Sequence, residues 1–452
     1  MNERTVEASP PSMARGSRSP KAEMTPRILL AATSSWFATA RLATAFVSAG
    51  YAVDVVCPLG HPATRSRAVP TVHPYRFFAP LHSIGAAIRA ARPDLIIPCD
   101  DLARSHMVRL YGRPERMGAS VGAWRTLPED SLGEPSMMSV PTARSELIAL
   151  AQELGMRAPT TAVVRTREEL RTWLRARPFP SVLKTDESYG GRGMRIVGSP
   201  TEADHAWRSL STPPSPARTI KRAVVNRDMS YVVPCLRRTR PIVNAQTFVS
   251  GRDADCTVAC WKGTILGSVT AVVLETVGML GPASVIRLIE NREIAAAAEV
   301  IVRRLKLSGL IGLDFILEER TGHAHLIEMN PRATQICHLS LGTGRDLLGA
   351  LRAVLSGEPL RRTVPVTERD VIALFPQEWR RDSTSAFLRT AYHDVPWNEP
   401  DLLRRCLTET VEVRAWTRLS DAARTTSTWL RAARDPGRTP REEAAHVRRA
   451  DE

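Results

Sequence analysis

Short apolar runs separated by polar punctuation give the chain its first outline. Residues 27–32 (Arg-Ile-Leu-Leu-Ala-Ala), 52–57 and 94–99 read as strands, and the apolar spacing over residues 36–48 and 84–91 reads as helices. Strands alternating with helices predict a parallel sheet in a small α/β domain. Residues 112–141, rich in Pro, Gly, Ser and Met, read as a link to a second unit. Beyond it the pattern predicts helices over 145–154 and 167–175, with strands over 160–165, 180–184, 194–197, 242–249, 255–261 and 264–274. An Ala-rich helix is expected over 291–305, and a helix over 344–356 stops at Gly357.

The strongest local signal is the stretch from Gly309 to Arg332, GLIGLDFILEERTGHAHLIEMNPR. The apolar run 310–317 carries a single carboxylate, Asp314, residues 318–322 supply turn chemistry, and 324–330 run back. Such a hairpin brings Asp314 beside Glu328 and Asn330, which point the same way because they are two apart on a strand. Three oxygen-bearing side chains then share an apolar sheet, which is costly unless a cation accompanies them.

Composition narrows the classes. At 452 residues, 49.8 kDa and 43% hydrophobic, the chain can bury the cores of two or three domains. No uninterrupted apolar run of membrane-spanning length occurs. Residues 1–26 lack an apolar signal-peptide core and read as a disordered leader, so a cytoplasmic protein is expected. The seven cysteines stand singly. Cys256 and Cys260 fall on one face of a predicted strand, but no second pair completes a zinc set, so buried thiols are expected. The net charge of +15 raises a nucleic-acid reading. With aromatics at 5% and the charge read as scattered, attraction to anionic metabolites is the more economical account.

Only five of the 62 basic residues are lysine, and Lys184 ends a strand that runs into Asp186-Glu187-Ser188-Tyr189-Gly190-Gly191-Arg192-Gly193. Glycines without a Cβ let backbone N–H groups close over a phosphate, and a lysine adds a point charge on its oxygens. No GK[ST] follows, so the loop is not a Walker A motif, and no GxGxxG follows the first strand. Residues 33–35 and Asp100-Asp101 sit at strand ends where ligands of α/β sheets bind, and where helix caps are also common.

The order ELGMRAPT, VLKTDESYGGRGM, QTFVSG and GLDFILE…HLIEMNPR resembles the ATP-grasp superfamily of carboxylate–amine or thiol ligases, over about residues 142–357. The resemblance implies an α/β and α+β architecture: an N-terminal parallel-sheet domain (27–141), a two-part ATP-grasp domain with antiparallel sheets (142–360), a C-terminal segment, mixed then helical (361–435), and a charged tail (436–452). It implies ATP with Mg²⁺, or Mn²⁺ in its place, small-molecule carboxylate and amine substrates and no membrane partner, and it allows a homodimer. Carried onto these residues, it gives Lys184 to the α/β-phosphates, with Ser188, Gly190, Gly191 and Gly193 over the terminal phosphates. Arg144 stands where a first ATP lysine is common, and Gln246 where a Glu is frequent. Val249 offers backbone to adenine, and Asp253, or its neighbour Asp255, is a candidate for the ribose. Asp314, Glu328 and Asn330 match metal positions, and Arg332 faces the acyl phosphate or substrate carboxylate. His338 is expected to be structural. A silent nucleotide-binding relative is the alternative reading, and a nucleic-acid-binding protein a distant one.

Overall fold

The computed structural model describes residues 25–113, 121–186, 193–225, 229–278 and 281–408. The N-terminal domain runs β1 (Arg27–Ala31), α1 (Phe37–Ser48), β2 (Ala52–Cys57), β3 (Thr71–Pro74), α2 (Pro80–Ala91), β4 (Leu95–Pro98) and α3 (Asp101–Tyr111). Its strands form an all-parallel sheet in the order β3-β2-β1-β4, as the alternation of elements requires. The expected linker is partly ordered structure: α4 (Val121–Leu132) returns to this domain, and the Ser131 hydroxyl accepts the Ile96 N–H at 3.0 Å. Its composition reads as loop, but the Ile96–Ser131 contact fixes it as a helix against the sheet.

A smaller unit follows α5 (Arg144–Glu153): β5 (Thr161–Val163), α6 (Arg167–Arg175), β6 (Ser181–Thr185), β7 (Met194–Val197), α7 (Pro200–Ser211), α8 (Pro216–Val225), α9 (Val232–Arg237) and β8 (Val243–Thr247). Its sheet is antiparallel, in the order β5-β8-β6-β7. Leu183, Val243 and Ala245 pack on Leu170, Trp173 and Ala203 of the covering helices. Alternation along the strands therefore turns Lys184, Asn244 and Gln246 to the opposite, helix-free face.

The large sheet contains β9 (Gly251–Trp261), β10 (Thr264–Thr276), β11 (Ala283–Leu288), β12 (Gly309–Glu318) and β13 (Ala324–Asn330), with α10 (Arg292–Arg304) between β11 and β12 and α11 (Leu347–Ser356) after β13. Its strand order is β13-β12-β9-β10-β11, continued at the β11 edge by β14 (Val371–Ala373) and β15 (Tyr392–His393). One face packs Ala254, Cys256, Leu313 and Phe315 on Ile294, Ala298 and Ile301 of α10. The other face packs Ala259 and Ala271 against the N-terminal domain. Cys256 and Cys260 are buried free thiols, with burial raising both pKa values.

The C-terminal segment is integral rather than appended. It supplies β14 (Val371–Ala373), α12 (Gln377–Arg381), α13 (Phe387–Thr390) and β15 (Tyr392–His393), extending the large sheet. Glu378, fully buried, accepts from the Ser284 hydroxyl at 2.8 Å and pairs with Arg381. Asp394 pairs with Arg41 of α1 and with His338, whose Nε2 lies 2.6 Å away. Glu399 accepts from the Ser66 hydroxyl at 2.8 Å and the Arg67 N–H at 3.0 Å. The Glu378 contacts fasten the segment to the large sheet, and those of Asp394 and Glu399 strap it to the N-terminal domain, with His338 held by Asp394. The expected leader, the charged tail and the helix beyond residue 408 lie outside the described residues, as do Ser188, Gly190 and Gly191.

Candidate active site

Antiparallel register places three carboxylates at one level on neighbouring strands. Asp314 on β12 is the partner of Asp255 on β9 and of Glu328 on β13. Cross-strand partners share a face, so the three side chains stand in a row. Asn330, two residues from Glu328, lies on the same face, and its amide nitrogen reaches both Asp314 oxygens at 3.1 and 2.9 Å. Asp253 lies two residues from Asp255 and continues the row toward the smaller unit. The hairpin thus brings together the expected trio of two carboxylates and an amide, and Asp255 joins it as a third carboxyl group. Strand parity with Asp314 across β9 is the signal that identifies it.

Crowding sets the electrostatics. Burial, followed by the charges of Asp255 and Glu328, holds the Asp314 carboxyl well above its usual range. Burial, then Asp253 and Glu328, raises Asp255 in the same direction. A cation among these groups would reverse both shifts. Among the described residues no three His, Cys, Asp or Glu side chains close into a metal cage by themselves. The donor chemistry fits magnesium nonetheless, since that ion takes one or two carboxylates and completes its octahedron with phosphate and water oxygens.

Three cations face the row. Arg144, the first residue of α5, reaches Glu328 through Nη2 at 2.7 Å. Lys184 is 6% exposed and makes no ion pair with any described residue. Burial lowers its pKa, with the nearby charges of Glu328, Asp314 and Asp253 pulling the other way. Arg332 donates through Nε to Asp101 at 3.0 Å and through Nη2 to the Asn330 oxygen at 2.9 Å, and its guanidinium lies 5.9 Å from the Trp36 ring.

The remaining positions fall around this cleft. Val249 lies between β8 and β9, where the chain passes from the smaller to the larger sheet. Gln246 shares the Lys184 face and donates to the Thr161 hydroxyl at 3.0 Å. Gly193 accepts the Thr185 N–H through its carbonyl at 2.8 Å, closing the base of the glycine loop. Asn244, buried, donates to Asp186 at 2.8 Å while its own oxygen has no partner among the described residues. Asp100 caps α3 and also accepts from the Thr33 N–H and hydroxyl, so capping accounts for it. Its neighbour Asp101 instead accepts from Arg332.

Comparison with known proteins agrees with this geometry. Residues 143–363 match the family model "Carbamoyl-phosphate synthase L chain, ATP binding domain". The carbamoyl phosphate synthase large chain of Ralstonia nicotianae is 22% identical over 236 residues, covering 50% of this chain and 20% of that protein. Residues 143–363 form an ATP-grasp domain. The ADP complex of PurK, an N5-carboxyaminoimidazole ribonucleotide synthetase, superimposes with a TM-score of 0.53 at 15% identity, over 76% of this chain and 80% of that one. The biotin carboxylase domain of the Hydrogenobacter thermophilus 2-oxoglutarate carboxylase gives 0.52 at 14% identity, over 75% and 71%. Both likenesses extend well beyond the ATP-grasp domain itself. The chain nevertheless spans only one fifth of the length of the carbamoyl phosphate synthase chain it matches.

Proposed function

We propose that this protein is an ATP- and magnesium-dependent ligase that activates a substrate carboxylate as an acyl phosphate for attack by an amine. The observation that carries the reading is Lys184, buried and without an ion pair among the described residues, within electrostatic range of Asp314 and Glu328, with Arg332 bonded to the neighbouring Asn330. A lone buried ammonium is costly, and an anionic ligand is the group that offsets it.

A carboxylate is a poor acyl donor because oxide is a poor leaving group. Transfer of the γ-phosphoryl group to a carboxylate oxygen releases ADP and creates a phosphate leaving group. The amine nitrogen then bonds to the acyl carbon, phosphate departs and the nitrogen loses a proton. Most of the catalysis in such a transfer is positioning and electrostatic stabilisation. Lys184 holds α/β-phosphate oxygens, aided by Arg144 once nucleotide draws it from Glu328. Ser188 and the glycines Gly190, Gly191 and Gly193 cover the terminal phosphates. The backbone at Val249 meets adenine, Gln246 lines the same wall, and Asp253 is the choice for the ribose. Asp314, Glu328 and Asn330 would hold magnesium, or manganese in its place, which neutralises charge on the transferring phosphoryl oxygens. Arg332 orients the carboxylate.

The test is release of ADP and phosphate by the purified protein with Mg-ATP across a panel of small carboxylic acids and amines. Acceptor-dependent release of both supports the reading. Tight nucleotide binding with no release on any acceptor pair would replace it with a silent ATP-grasp protein.

A further inference from the structure

The smaller sheet carries an insertion between α7 and β8 whose helices α8 and α9 pack chiefly on each other. Their burial is inverted. On α8 the polar Thr219 and Arg222 are buried, with Arg222 stacked on the Tyr231 ring at 4.2 Å, while Ile220 and Val224, one turn apart, are 63% and 64% exposed. On α9 Val233 and Leu236, three apart, are 44% and 77% exposed. A solvated helix would turn such residues inward.

The same insertion concentrates the charge. Residues 212–242 hold seven Arg or Lys and one Asp, so the +15 is not evenly scattered along the chain. Arg218, Lys221, Arg237, Arg238 and Arg240 are all exposed. Protruding aliphatic side chains framed by cations match the chemistry of an anionic lipid surface, where the apolar groups enter the headgroup layer and the cations meet its charge. A nucleic acid would meet the cations through its phosphates but leaves the exposed Ile220, Val224, Val233 and Leu236 without a partner, and the ring of Tyr231, which could stack on a base, is covered by Arg218 and Arg222. A second copy of the same surface would bring like charges together.

We propose that the α8–α9 insertion is a peripheral docking element for anionic lipid, placing the ATP-grasp cleft at a membrane surface. No described helix is long and apolar enough to cross a bilayer, so the contact is superficial.

Co-sedimentation of the full-length protein with phosphatidylcholine vesicles, and with vesicles containing about 30% phosphatidylglycerol, tests this. Binding is expected on the anionic vesicles alone and is expected to weaken as salt rises. Ile220→Glu with Leu236→Glu is expected to lower the partition at least tenfold. Neutralising Arg237, Arg238 and Arg240 to Gln is expected to lower it about 100-fold, at about fivefold per cation. All five positions are exposed, so melting temperature and circular dichroism are expected to stay at wild-type values, separating lost docking from lost folding. Absence of binding to anionic vesicles, equal binding to neutral ones, or variants that bind like wild type would overturn the proposal. An acidic protein partner would then be the remaining occupant.

Discussion

Arg332 donates through Nε to the Asp101 carboxylate at 3.0 Å, and the two residues belong to different domains. Arg332 follows the β12–β13 hairpin, whereas Asp101 opens the helix after the last strand of the parallel sheet. The N-terminal domain therefore helps orient the guanidinium that the proposed mechanism sets against the substrate carboxylate. Asp101→Ala is expected to leave ADP affinity within about twofold, because the phosphate side is untouched, and to slow acceptor-dependent ADP release by about 10–100-fold through lost orientation. Calorimetry and an ADP-release assay on the same preparation check this, and a matching loss of ADP affinity would contradict it.

Lys184 sets stability against function. It is a buried cation without an ion pair among the described residues, so Lys184→Met removes a desolvation penalty. The free variant is expected to melt at or above the wild-type temperature. Its ADP affinity is expected to fall about 10–100-fold, the loss of one charge-assisted contact of about 1.5–3 kcal/mol. A melting scan with and without Mg-ADP reads both effects. A variant that is both less stable and unaltered in ADP binding would remove Lys184 from the site.

Glu328 accepts from Arg144 at 2.7 Å and belongs to the proposed metal set. Glu328→Gln retains an oxygen donor but loses the charge. It is expected to lower the turnover rate by about 10²–10³ and to raise the magnesium concentration giving half-maximal rate. An unchanged magnesium dependence would assign Glu328 to the Arg144 pair alone.

Much of this arrangement is legible in the sequence, and the reasons are physical. Period-two alternation puts Glu328 and Asn330 on one face, but their pairing with Asp314 depends on a β-bulge between Asp314 and Phe315, since unbroken pairing from the turn would set Asp314 opposite Ile327. The ATP-grasp motifs lie close together in the chain, so their order is readable. Asp101 and Asp255 are not legible in this way, because the partner of Asp101 is an arginine 231 residues away and that of Asp255 comes from register between strands apart in sequence. Asp101 reads as an ordinary helix start, and Asp255 as one of two choices for a ribose. Glu378, Asp394 and Glu399 carry no local signature, since each is explained only by a buried partner from another segment. Within residues 112–141, loop-like composition concealed α4, which a contact to Ile96 stabilises.

Gly312 shows how the fold makes room for the site. A Cβ there would lie 2.4 Å from Cγ2 of Thr334, whose hydroxyl meets that of Thr257 at 2.8 Å. The close approach seats the loop after β13 on the sheet and so holds Arg332 beside Asn330. Thr334 is branched at Cβ and has little rotamer freedom to yield. Gly312→Ala is therefore expected to cost about 1–3 kcal/mol by overpacking, read as a lower denaturant midpoint, with Gly278→Ala as a control at a position open to solvent but strained by its positive φ of 75°.

The carboxylate row makes a pH-dependent prediction whose sign follows from proton counting. Burial, then Asp253 and Glu328, push the Asp255 carboxyl up to about 7, against about 4 in an unfolded chain. Between those values the folded protein keeps a proton that the unfolded chain has released. Stability therefore falls as pH rises from about 4 to about 7, and the whole penalty is present above that window. Asp255→Asn cannot ionise and also relieves Asp314, whose carboxyl Asp255 raises. The variant is expected to be about 1–3 kcal/mol more stable than wild type at pH 8 in EDTA, with little difference near pH 4. Urea unfolding at the two pH values measures it. Mg-ADP is expected to shrink the pH 8 difference, because a cation in the row favours the ionised wild-type carboxylates. A variant less stable than wild type at pH 8 would mean that the Asp255 carboxylate is held by a hydrogen bond worth more than the repulsion from its neighbours.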